Sequence, residues 1–126
     1  MKDNHKISEL KILIAEDDEI SGMLLSLMVK SFGEIVLRAR NGVEAVAVSR
    51  KNLDIDLILM DIQMPELNGD EATRLIRQFN KEVIIIAQTG LVLPADKESV
   101  IEAGCNDYLS KPIDKKKLLA FIEKYF

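Results

Sequence analysis

The chain has 126 residues, 48% of them hydrophobic and 30% charged, with a formal net charge of −4. That balance suits one domain with a substantial core, and the acidity, the absence of tryptophan and the scarcity of other aromatics argue against direct nucleic-acid binding. The single cysteine, Cys105, excludes an internal disulfide or a cysteine-paired metal knuckle, and no apolar run approaches the ~18 residues that span a bilayer. Residues 1–5 are polar and lack the pattern of a secretory leader, so the expected location is cytoplasmic, without membrane insertion. One domain over 1–126 is expected, with a flexible tail over 1–9. His5 falls in that tail, so the chain carries no evident phosphodonor of its own.

In chain order, Lys11-Ile-Leu-Ile-Ala15 predicts a short strand. Ile20, Met23, Leu24, Leu27 and Met28 then recur at helical spacing and predict one apolar stripe. Gly33 is placed as the left-handed cap ending that helix. An extended run follows over 35–37, Asn41-Gly42 is a turn signal, and Val43, Ala45, Val46 and Val48 predict a second helix. A buried strand is expected over 56–60, then a loop with Pro65, Asn68 and Gly69, then a helix marked by Ala72, Leu75, Ile76 and Phe79. Residues 83–87 are the most β-branched run in the chain and suit a strand covered on both faces. Pro94 is expected to open a fourth helix that stops at Ala103-Gly104. A fifth strand over 107–110 and a helix with Leu118, Leu119, Ile122 and Tyr125 inward complete the pattern. Lys115 to Lys117 are expected on its solvated side, and Cys105 as a small packed residue.

Five βα units in this length imply an α/β fold, an open doubly wound parallel sheet with helices on both faces; an eight-unit barrel does not fit. Ligands of such sheets bind beyond the carboxyl ends of the strands. Polar groups collect at those ends: Glu16-Asp17-Asp18 after the first strand, Asp61 after the third, Thr89 after the fourth, Lys111-Pro112 after the fifth. Converging carboxylates repel unless a cation intervenes, and hard oxygen donors without His or Cys favour magnesium. A lysine opposite them supplies a point charge for a phosphate.

Ile14-Ala-Glu-Asp-Asp18, Met60-Asp-Ile-Gln-Met-Pro65 with Gly69, Gln88-Thr-Gly90 and Tyr108-Leu-Ser-Lys-Pro112, in that order, resemble the receiver (response regulator) family of two-component signalling from about residue 11 to 126. The resemblance implies the flavodoxin-like strand order 2-1-3-4-5 and a phospho-acceptor switch rather than a conventional enzyme. It implies that Asp61 accepts a phosphoryl group from a histidine kinase or histidine phosphotransfer domain. Asp17, Glu16, Asp61 and the backbone carbonyl of Gln63 would hold Mg2+, and Lys111 would pair with the phosphoryl oxygens. Thr89 and Tyr108 would move on phosphorylation, and Gln63 and Leu91 would tune hydrolysis. A homodimer through the fourth helix, fifth strand and fifth helix is a further implication. So is docking of the donor's helical bundle on Ile20 and Met23, against which stands a wide buried stripe. The Met-Asp-Ile-Gln-Met-Pro and Ser-Lys-Pro-Ile wording resembles receivers of hybrid sensor kinases.

Gly90 and the apolar 91–94 stretch depart from the family's usual pattern. Leu91 cannot orient a water, which predicts a long-lived phosphoryl-aspartate. Two rivals stand beside this reading: a degenerate receiver that switches without phosphate, and a magnesium phosphatase of the haloacid dehalogenase type. The second wants an acid two places after its nucleophile, where this chain has Gln63.

Overall fold

The structure, a computed structural model, describes residues 9–90 and 94–126. The strands β1 (Leu10–Ala15), β2 (Gly33–Ala39), β3 (Leu57–Asp61), β4 (Ile84–Thr89) and β5 (Asp107–Ser110) alternate with the helices α1 (Glu19–Val29), α2 (Gly42–Lys51), α3 (Gly69–Arg77), α4 (Pro94–Ala103) and α5 (Lys115–Tyr125). The strands pair in parallel in the order β2-β1-β3-β4-β5.

Side chains alternate across a pleated strand, so each apolar run feeds two cores. Ile12, Ile14, Leu57, Leu59 and Ile86 pack with Leu25 and Val29 of α1 and Leu118 and Ile122 of α5. Leu13, Ile58, Met60 and Ile85 face the other way, onto Ala45 of α2, Ala72 and Ile76 of α3 and Val100 of α4. The continuous hydrophobicity of β1, β3 and β4 thus follows from burial on both faces.

Local chemistry sets the helix starts. Asp18 Oδ2 accepts from Ser21 N at 2.8 Å, Asn41 Oδ1 from Glu44 N at 2.8 Å, and Asp114 Oδ1 from Lys116 N at 2.8 Å. The Asn41-Gly42 turn signal is thus the cap and first helical residue of α2. Lys115, Lys116 and Lys117 are exposed as expected, and Cys105 is buried with Sγ 3.7 Å from Thr73 Oγ1. Burial pushes that thiol up to about 11, which keeps it unreactive.

Three expectations need correction. Gly33 does not cap α1: that helix ends at Val29 with Lys30 still right-handed, and Gly33 opens β2 opposite Leu10. Among the described residues the left-handed glycine is Gly104 (φ 119), just past α4, whose N–H donates to Ile101 O at 3.0 Å. The apolar stripe of α1 also points mostly outward, although Met28 packs against the core. Ile20, Met23, Leu24 and Leu27 are 52–67% exposed, and the buried line is Gly22, Leu25 and Val29. Both lines have helical spacing, and only the sheet decides which faces inward. Finally, Phe79 lies beyond α3, packed on the core with the Arg50 guanidinium 4.6 Å above its ring.

Candidate functional site

Strand pairing outlasts the apolar runs and carries the polar groups to one edge. Asp61 still pairs with Gln88, and Thr89 with Ser110, so both are fixed inside strands rather than in loops. Glu16 follows β1 directly, its N–H bonded to Ala39 O at 3.0 Å. Because Asp18 caps α1, Glu16 and Asp17 are free of that task. One carboxylate oxygen from each of Glu16, Asp17 and Asp61 lies within 4.8 Å of the others. Lys111 follows β5, whose last turn into α5 holds a cis Lys111–Pro112 bond. Its Nζ lies 3.1 Å from Glu16 Oε1 and 3.2 Å from Asp61 Oδ1.

Glu16 and Asp61 are 1% and 2% exposed, whereas Asp17 opens to solvent. Burial, reinforced by the neighbouring Glu16, pushes the Asp61 carboxyl up to about 7 against the pull of Lys111. Burial alone would lower Lys111, but its close ionic contacts with Glu16 and Asp61 outweigh that and raise it. Glu16 Oε2 accepts from Asp18 N at 3.1 Å, while Oε1, beside the Lys111 ammonium, is buried without a hydrogen bond among the described residues. Three acids against one lysine leave two negative charges uncompensated when all are ionised. Hard oxygen donors clustered this tightly, with one buried carboxylate oxygen short of hydrogen bonds, fit a small divalent cation such as magnesium.

The other expected residues surround this cluster at different ranges. Gln63 is exposed and donates its N–H to Asp61 Oδ1 at 3.2 Å. Thr89, 5% exposed, lines a 270 Å³ pocket with Gln63, Asp70 and Ser99, and its carbonyl accepts from Lys111 N at 2.9 Å. Tyr108 is not in that pocket. It is half-buried against α4, lining a separate groove with Ile101 and Glu102, and Lys97 Nζ sits 5.1 Å above its ring. Leu91 lies outside the described residues.

Two features escaped the sequence. A 390 Å³ groove runs beside the acids, with Leu24 and Met28 on one wall, Pro112 and Ile113 on the other, and Glu16 and Lys111 at its end. Gln88, 2% exposed, contributes to it a buried amide nitrogen without a hydrogen-bond partner among the described residues. A polar residue closing the most apolar strand was the available signal for the latter.

The family model described as response regulator receiver domain matches residues 12–123. The chain belongs to the receiver family. It is 34% identical over 116 residues to the polar-differentiation response regulator DivK of Brucella anthropi, covering 90% of this chain and 94% of that protein. It also resembles the receiver domain of Ssk1 from Saccharomyces cerevisiae, solved with the histidine phosphotransfer protein Ypd1 (TM-score 0.86, 33% identity, 96% of this chain and 91% of that one). A third likeness is to the receiver domain of a sensor histidine kinase of Pseudomonas aeruginosa PAO1, which holds a magnesium ion in its active-site cleft (TM-score 0.82, 33% identity, 92% and 96%). This receiver is thus a phosphoryl-accepting domain of two-component signalling. Among its described residues no helix is long and apolar enough to cross a membrane.

Proposed function

We propose that this receiver takes a phosphoryl group onto Asp61 from a phosphohistidine donor, with Mg2+ held by Glu16, Asp17, Asp61 and the Gln63 carbonyl. The observation that carries this is the convergence of three carboxylates and the Lys111 ammonium at adjoining strand ends. The metal would neutralise charge and help align the acceptor carboxylate with the donor's phosphoryl group. Asp61 supplies the attacking carboxylate oxygen. An O–P bond forms as the donor's P–N bond breaks, and the imidazole leaves with the electron pair and takes up a proton. Lys111, already against Asp61 Oδ1, pairs with the incoming phosphoryl oxygens, and Thr89 adds a hydroxyl donor from β4. The gained charge, about −1.5 to −2 in phosphorylated side chains, is what biases Thr89 and Tyr108. Tyr108 would leave the Lys97 contact as Thr89 moves to the phosphoryl group.

The likeness to a receiver solved with a phosphotransfer protein supports a helical-bundle donor. The exposed face Ile20, Met23, Leu24 and Leu27, beside the acidic cluster, is where we place it. The face of α4, β5 and α5 remains our candidate for a homodimer. The domain acts as a switch and not as a turnover enzyme, beyond gaining and losing its own phosphoryl group. Incubation with acetyl phosphate and Mg2+ should add one phosphoryl group by intact mass. Asp61→Asn should add none; labelling that survived this change would overturn the assignment.

A further inference from the structure

The acceptor loop, residues 62–68, is built on backbone contacts that tolerate no side chain. A Cβ on Gly42 would stand 2.1 Å from the carbonyl oxygen of Leu67 and 2.8 Å from its carbonyl carbon. Neither Gly42 nor Gly69 has a left-handed φ, so glycine is required at Gly42 by proximity and not by conformation. The first residue of α2 therefore rests directly on the end of the loop that begins at Asp61.

The same corner of the chain also grips the other half of the acidic cluster. Ala39 O, at the end of β2, accepts the N–H of Glu16 at 3.0 Å. Between these two contacts the corner is stiff. Asn41 caps α2, Glu44 Oε1 accepts from Arg40 N at 3.0 Å, and Ala45 is fully buried. The loop it touches is tightly turned. Glu66 has φ 68, rare for a residue with a side chain, Leu67 N donates to Pro65 O at 2.7 Å, and Gly69 N donates to Ile62 O at 2.9 Å.

From this we infer that Gly42 is a positioning residue: the β2–α2 corner acts as a spacer that fixes the loop after Asp61, and with it Gln63, relative to Glu16 and Asp17. It touches neither metal nor phosphoryl group. A methyl at Gly42 would have to push the Leu67 carbonyl away by about an ångström to reach normal contact. Since α2 is capped and anchored by its buried line Gly42, Ala45 and Ser49 while Pro65 and Glu66 are exposed, the loop is the side that yields. Its hydrogen bond from Gln63 N to Asp61 Oδ1 moves with it. The inference rests on the magnesium site proposed above.

The test is a Mg2+ titration of the metal-free chain followed by amide NMR shifts, beside thermal unfolding without the ion. Gly42→Ala should weaken Mg2+ about tenfold to a hundredfold, as loss of a supporting group does at metal sites. Ile122→Val, on the buried face of α5, should lower the melting temperature yet leave Mg2+ affinity intact. Should Gly42→Ala alone fail to fold, Gly42→Ala with Glu66→Gly, where a glycine at that φ lets Leu67 step back, is titrated in its place and should show the same weakening. Binding by the folded Gly42 variant as tight as in wild type would overturn the spacer. Absence of Mg2+ binding by wild type would instead overturn the site reading.

Discussion

Asp61 is a buried carboxyl held near neutrality by desolvation and Glu16, and this has a measurable sign. Between about pH 4 and 7 the folded chain keeps a proton that the unfolded chain releases. Without metal, this group's contribution to stability is therefore present at low pH and lost as pH rises through that window. The melting temperature of the metal-free chain should fall from about pH 5 to about pH 7.5 more steeply in wild type than in Asp61→Asn. Because the bound cation needs the ionised form, Mg2+ affinity should weaken about tenfold per pH unit below about 7. Gly90 offers the opposite kind of test. Among the described residues a Cβ there meets nothing within 4 Å, and its φ is not left-handed. Gly90→Ala should stabilise the chain by about 0.4–1 kcal/mol, by restricting the unfolded state, in denaturant titration.

Helix α1 carries two apolar lines with different fates. Leu25, 4% exposed, packs in the core with Val29, whereas Leu27 is 61% exposed. Leu25→Ala should cost about 2–5 kcal/mol in chemical unfolding, and Leu27→Ser no more than about 0.5 kcal/mol. If the outer line docks the donor, Leu27→Ser should slow phosphorylation by a phosphorylated histidine phosphotransfer protein while leaving acetyl phosphate labelling unchanged. The helix start depends on Asp18, so Asp18→Ala should lower the melting temperature without altering the acidic cluster.

If the acidic cluster takes Mg2+ as proposed, the whole domain should respond to it through linkage. A cation that binds the folded state alone stabilises it by about 2.7 kcal/mol at a hundred times its Kd. Mg2+ should therefore raise the melting temperature, and Asp17→Asn, at the exposed acid, should remove most of that gain. Much of this architecture was legible in the residues. The run 107–110 and the start at Pro94 coincide with β5 and α4, and Glu16, Asp17, Asp61 and Lys111 were each placed at a strand end. Runs of β-branched residues, caps and strand-end acids act through near neighbours, so their signals survive in one dimension. The inward line of α1, the true place of Gly33, the separation of Tyr108 from the Thr89 pocket and the contact of Gly42 with Leu67 could not be read that way. Each depends on which distant backbone or side chain arrives at a few ångströms, and that is settled only when the sheet and helices pack together.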